Sequence, residues 1–188
     1  MKPSSQTLFW RRLDIVGLER LTLTSAENRI VADATTICVE DGGFRMDHRW
    51  ELTPDWSVQS CIVRKEGVSR SVQLVLERYG NGWKVDGLAR PDLDATREPD
   101  LSITPFCNTF PIRHMLAANQ DHLTLETSFI DAAAMTVSRS RQSYRHLGSR
   151  HFHYLDLGIA DGFEADITVD DMGLVIRYEG LFERAEAQ

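Results

Sequence analysis

The sequence predicts an all-β fold, a large antiparallel sheet curled into a barrel-like spiral roll with little helix. Three observations carry that prediction. Apolar and polar residues alternate along much of the chain, glycine-bearing turns separate the alternating runs, and one short stretch alone has helical character. The cleanest run is 44–52, where Phe44, Met46, His48, Trp50 and Leu52 fall on one face and Arg45, Asp47, Arg49 and Glu51 on the other. A helix would scatter those apolar residues around its axis, whereas a strand gathers them on one side.

The elements follow in order from the same reading. From Glu19 onward, Leu21 and Leu23 share one side and Arg20, Thr22 and Thr24 the other. Residues 35–40 lead through Asp41, Gly42 and Gly43 into the 44–52 run, glycines being able to take the positive φ that tight hairpins need. Runs 57–64 and 68–79 flank Lys65, Glu66 and Gly67, and Gly80-Asn81-Gly82 turns the chain into 83–86. The segment between Leu88 and Pro99 is rich in Pro, Asp, Arg and Glu and reads as a loop. Strands resume at 123–127, 135–144 and 152–157. The helix candidate is 112–119, with Pro111 suited to a first turn. Finally, Phe163, Ala165, Ile167 and Val169 alternate with acidic and polar residues before Asp171-Met172-Gly173 reverses the chain into 174–179. Roughly ten strands in one sheet must curl or close to bury an apolar face and protect the edges, giving a roll that is packed solid or holds a cavity. Residues 1–188 are read as one β-roll domain, with 1–6 and 185–188 as frayed tails.

Composition narrows the partners. The 188 residues are 42% hydrophobic and 26% charged, as in ordinary globular proteins, and carry a formal net charge of −7. That balance argues against nucleic acid or an anionic membrane surface as main partner, since both reward a basic face. No window approaches the length of a membrane span, and Leu8-Phe9-Trp10 before Arg11 and Arg12 is too short for the apolar core of a secretory signal. Cys38, Cys61 and Cys107 are odd in number and widely spaced, which suits a reduced cytoplasm.

Few residues suggest chemistry. His151 and His153 share one side of a strand, and His48 sits among inward residues, but no third ligand lies nearby, so no metal is expected. Of the acidic cluster Asp161, Glu164, Asp166, Asp170 and Asp171, three, Glu164, Asp166 and Asp170, are spread along one strand face rather than gathered on a calcium-binding turn. No nucleophile elbow and no phosphate-cradling glycine loop is present, so no catalytic residue and no cofactor is expected. Trp10, Trp50, Trp56, Trp83, Tyr144 and Tyr154 suit a core or the lining of an apolar cavity. Arg45 and Arg49 share a strand face and are candidate contacts for a phosphate or sugar, though a wet strand needs no such partner.

The stretch 99–114 stands apart. Pro105 and Pro111 each remove a backbone donor and push Thr104 and Phe110 toward extended geometry. Asn108, Thr109 and Arg113 supply an amide, a hydroxyl and a planar fork of donors, and Phe106, Phe110 and Ile112 can pin the crossing to a core. It reads either as a structural knot or as a ligand-facing edge.

These residues resemble a bacterial family known as the putative glycolipid-binding proteins, a domain of unknown function. Asp100-Leu101, Thr104-Pro105-Phe106, Asn108-Thr109 and Pro111-Ile112-Arg113 are similar to its central motif. Further matching pieces are Trp10-Arg11, Gly17-Leu18-Glu19, Asp55-Trp56, Gly82-Trp83 with Asp86-Gly87, Gln142 with Tyr144, and Val169-Asp170 with Gly173-Leu174-Val175 and Tyr178. Cys107, Phe110 and His114 depart from the motif, which usually has Thr, Leu and a second Arg there. The resemblance implies a curled antiparallel roll similar to lipoprotein carriers, which hold acyl chains in an apolar concavity.

The function expected is therefore non-catalytic binding of an apolar or amphipathic small molecule, a lipid or glycolipid. Asn108, Thr109 and Arg113 are expected at its polar head, Asp100 orients Arg113, and Arg45, Arg49 and Trp56 are further candidate contacts. The alternative is an enzyme acting on a small or lipid-derived substrate in the same concavity, using Asp100, Arg113 and His114.

Overall fold

A computed structural model describes residues 4–67 and 70–186. The first eight strands are β1 (Ser4–Arg12), β2 (Gly17–Ser25), β3 (Ile30–Cys38), β4 (Phe44–Leu52), β5 (Val58–Gly67), β6 (Ser71–Tyr79), β7 (Gly82–Val85) and β8 (Leu88–Arg90). After β9 (Pro99–Leu101) comes the helix α1 (Thr109–Ala118). The remaining strands are β10 (His122–Asp131), β11 (Thr136–Gly148), β12 (His151–Asp156), β13 (Glu164–Val169), β14 (Val175–Tyr178) and β15 (Phe182–Ala185).

All fifteen strands belong to one curled, unclosed sheet in the order β8-β7-β6-β5-β4-β3-β2-β1-β15-β14-β13-β12-β11-β10-β9. Two meanders, β1–β8 and β9–β15, are thus joined where β1 pairs with β15, Phe9 opposite Ala185 and Arg12 opposite Phe182. Pairing is antiparallel apart from β9 with β10. The two edge strands, β8 and β9, follow one another in the chain, so the connector 91–98 must bridge the two ends of the sheet. It is held there by side chains rather than by a ladder. Arg139 of β11 donates to the carbonyls of Asp92 (2.9 Å) and Asp94 (2.6 Å), and the Trp83 indole donates to the Arg97 carbonyl (3.2 Å).

The alternation in the sequence is the alternation of burial. In β4, Phe44, Met46, His48, Trp50 and Leu52 are all buried, and Arg45 and Arg49 lie on the outer face. The differences from expectation have physical reasons. Strands of three or four residues, such as β8, β9 and β14, are too short to show a period, which is why fifteen strands read as roughly ten. The 88–99 loop contains β8, β9's first residue and a 3-10 turn, Pro91–Leu93, that seats the fully buried Leu93. Ser4–Gln6 and Ala185, expected to fray, pair with Leu23–Ser25 and Phe9, because the chain ends meet at the middle of the sheet. Met1–Pro3 and 187–188 lie outside the described residues. The helix starts at Thr109, three residues before the predicted Ile112, continuing a 3-10 turn, Pro105–Asn108.

Candidate functional site

Most of the segment from Pro99 to His114 is buried inside the roll, with Ser102 and His114 exposed. Thr104 is extended and its hydroxyl accepts the Phe106 amide at 3.1 Å, capping the 3-10 turn that Pro105 opens. Pro111 falls in the first turn of α1, where its missing N–H costs no helix bond. Asn119, left-handed at φ 51°, ends the helix, and the Gln120 amide reaches back to the Met115 carbonyl at 2.9 Å. Phe106 packs edge-on to Trp50 at a ring separation of 6.1 Å and Phe110 packs tilted against it at 5.6 Å, both joining the core of the first meander. Ile112 and Met115 join the core of the second, with Tyr144, Phe152 and Tyr178. Side chains of the chain's own crossing segment therefore occupy the inside of the roll, where the resemblance implied an acyl-holding concavity.

A cleft of about 350 Å³ remains beside this segment. Its walls are the β4–β5 turn (Pro54 to Ser57), Arg97 and Glu98 before β9, the first turns of α1 with Phe110, Pro111, Arg113 and His114, and Leu125 of β10. Trp56 sits in the wall at φ 71°, a left-handed conformation that strains a bulky side chain. The Thr53 carbonyl accepts the Trp56 amide at 2.9 Å, and the Asp55 carboxylate accepts from the Thr53 and Ser57 hydroxyls, which fixes the turn and holds Asp55 below the usual carboxylate range.

Arg113 is positioned by three elements. Its guanidinium lies over the Trp56 ring at 4.1 Å, and Nη1 donates to the Met172 carbonyl in the β13–β14 turn. Gly173 beside it takes φ 77°, and a Cβ there would lie 2.9 Å from the Arg113 Cγ, so glycine makes the room. Burial lowers the pKa of the half-buried guanidinium, while Asp170 acts in the opposite sense through space; Asp170 itself is engaged by Arg184 at 2.7 Å. Among the described residues Arg113 has no carboxylate partner within ion-pair distance. Glu98, whose pKa burial raises, pairs with Arg78 at 3.0 Å and accepts the Val58 amide. His114 is held below its usual pKa by burial and by Arg97.

Behind the cleft run two buried polar networks. In one, Gln142 donates to Asp100, and the Tyr144 hydroxyl stands 2.9 Å from Asn108 Oδ1 and 3.2 Å from Gln142 Oε1. Desolvation raises the Asp100 carboxyl to about 6 against the pull of Gln142, with Asp156 adding to the rise. In the other, Thr104 donates to Glu19 at 2.9 Å, His48 Nε2 stands 3.5 Å from the same carboxylate oxygen, and the Trp50 indole donates to His48 Nδ1 at 2.8 Å.

The residues singled out in the sequence thus separate into three places. Trp56, Arg113 and His114 line the cleft. Asp100, partly accessible, and the buried Asn108 and Thr109 lie outside the cleft's lining, and among the described residues the Thr109 hydroxyl has no hydrogen-bond partner. Asp100 is bonded to Gln142 rather than to Arg113. Arg45 and Arg49 lie on the outer face, Arg45 bridged to Asp47 and Glu66 and Arg49 to Asp33 and Glu51. His153 is also outward, between Glu164 and Asp166. Reasoning from sequence missed Arg97 and Glu98, which read as loop composition, and Gly173 as the space for Arg113. Several of the scattered pieces that accompany the central motif turn out to be its contacts: Glu19 with Thr104, Trp56 with Arg113, Gln142 with Asp100, Tyr144 with Asn108, Gly173 with Arg113.

Comparison with known proteins agrees with that pattern. No curated protein matches the chain. Among solved structures, a DUF1089 family protein from Pseudomonas aeruginosa is similar at 30% identity and a TM-score of 0.77, over 90% of this chain and 92% of that one. Residues 7–184, from β1 to β15, match the family described as "Putative glycolipid-binding", and the chain belongs to that family.

Proposed function

We propose that the protein binds a glycolipid or similar amphipathic molecule without transforming it, and that the Trp56–Arg113 cleft takes the polar head. One observation carries this reading: the cleft is lined both by apolar Trp56, Phe110, Pro111 and Leu125 and by polar Asp55, Ser57, Arg97, Glu98, Arg113 and His114. Sugars present both an apolar ring face and a belt of hydroxyls, and a surface of this mixed kind matches both. A volume of about 350 Å³ suits a sugar-sized head, and the crossing segment inside the roll leaves the acyl part outside it. Asn108, Thr109 and Asp100 serve by holding the plug that carries Phe110 and Arg113. Arg113 and His114 reach the cleft while Asp100 does not, so the three groups of an acid–base site do not share one surface.

The test is titration of the protein's tryptophan fluorescence with phosphatidylcholine vesicles containing a neutral galactolipid, with native mass spectrometry of the freshly purified protein beside it. A glycolipid-dependent signal is expected, weakened at least about tenfold by Trp56→Ala, in line with the roughly 1.4 kcal/mol or more that a buried aromatic contact contributes. Equal response to vesicles with and without the galactolipid, and no bound mass, would overturn the reading.

A further inference from the structure

We infer that the head bound in this cleft carries an oxyanion, a phosphate or sulfate ester, which the guanidiniums of Arg113 and Arg97 grip. This rests on the binding reading above and narrows it to one class of ligand. The protein carries net charge −7, and on its outer face arginines such as Arg45, Arg49 and Arg177 are matched by acids. Neither Arg97 nor Arg113 has a carboxylate within ion-pair distance among the described residues, and the acids in the same wall are engaged elsewhere, Glu98 by Arg78 and Asp55 by Thr53 and Ser57. Exposed arginines such as Arg20, Arg29, Arg141 and Arg145 also have no carboxylate within ion-pair distance among the described residues, but Arg113 differs from them in being half-buried.

Arg113 is the more telling of the two. A guanidinium has five N–H donors, and among the described residues this one makes a single hydrogen bond to a protein acceptor, the Met172 carbonyl. A half-buried cation that is neither neutralised nor fully hydrogen-bonded is costly unless something supplies the missing acceptors. Yet it is not loose. Trp56 is held in a strained left-handed backbone to lie under it, and Gly173 adopts a positive φ beside its stem. Those features orient a planar donor fork, the geometry that grips phosphate and sulfate two oxygens at a time. His114, kept largely neutral at pH 7 by burial and by Arg97, adds a ring N–H at the same wall. Arg97, exposed at the rim with its amide bonded to the Glu126 carbonyl, supplies a second guanidinium.

Isothermal titration calorimetry tests this with three soluble probes, glucose 1-phosphate, glucose and inorganic phosphate. A second arm uses vesicles carrying a sulfated galactolipid or its unsulfated parent. The anionic member of each pair is expected to bind at least about tenfold more tightly, with affinity falling as salt rises. Arg113→Gln is expected to abolish that preference, Arg113→Lys to recover part of it, and Arg97→Gln, at an exposed position that cannot unfold the chain, to reduce it several-fold; Arg177→Gln on the outer face is the control. Equal affinity for the sulfated and unsulfated lipids would overturn the oxyanion inference and leave the glycolipid reading standing. Binding of glucose 1-phosphate or inorganic phosphate with no response to either vesicle would support the oxyanion site and overturn the lipid reading. No binding by any probe would overturn both.

Discussion

At the scale of single residues, the least ordinary group is Asp100. Part of the residue stays accessible, but its carboxyl is surrounded by protein, and desolvation lifts it to about 6 from a normal 3.8. The folded state then holds a proton between about pH 4 and 6 that the unfolded state has released, so stability falls as pH rises through that window. Below the unfolded value the stabilisation is fully present; above about pH 6 it is gone. A shift of about two units corresponds to roughly 3 kcal/mol. Asp100→Asn keeps an oxygen to accept from Gln142 and cannot ionise. Urea unfolding at pH 5 and pH 7.5 is expected to show wild type losing on the order of 1 kcal/mol more than the variant over that interval. An equal loss in both proteins would show that Asp100 is not the group responsible.

At the scale of elements, the plug formed by the Pro105–Asn108 turn and α1 is tied to both meanders, and its N-terminal tie is the most exposed to change. Thr104 both caps the turn and donates to Glu19, whose other carboxylate oxygen has no partner in the core. Thr104→Val removes the donor and the cap together and leaves a buried carboxylate without support. A loss of about 3 kcal/mol in the free energy of urea unfolding is expected, most of it recovered by Thr104→Ser. A full loss in Thr104→Ser with little loss in Thr104→Val would assign the effect to the methyl group's packing instead. This element also shows what the sequence made legible. Prolines at 105 and 111 reveal that the chain crosses without a regular strand, and strict alternation such as Phe44 to Leu52 reveals which side faces inward. Period alone cannot show that Gln142 and Tyr144, on the inner face of β11, meet Asp100 and Asn108 of the plug, because those contacts join residues far apart in the chain. The same limit hid Arg97 from the site, since a loop arginine carries no pattern until folding brings it beside α1.

At the scale of the whole molecule, the order of the strands has a kinetic consequence. Nearly every neighbour in the sheet is also a neighbour in sequence, so β1–β8 and β10–β15 can each form by closing short loops. The exception is the central seam, where β1 meets β15 and the Trp10 indole donates to the Val175 carbonyl at 2.8 Å across nearly the whole chain length. Loop-closure entropy opposes that contact until each meander has organised, so the seam is expected to form after the transition state for folding. Phe182, buried at the seam, should then behave unlike Leu21, buried within the first meander. Phe182→Ala is expected to cost on the order of 3 kcal/mol and to appear almost wholly as faster unfolding, by roughly a hundredfold, with the folding rate little changed. Leu21→Ala, of similar cost, should instead slow folding. Stopped-flow refolding and unfolding of the two variants separate the cases. A Phe182→Ala variant that slows folding as much as Leu21→Ala would mean that the two chain ends meet early and that the seam nucleates the sheet.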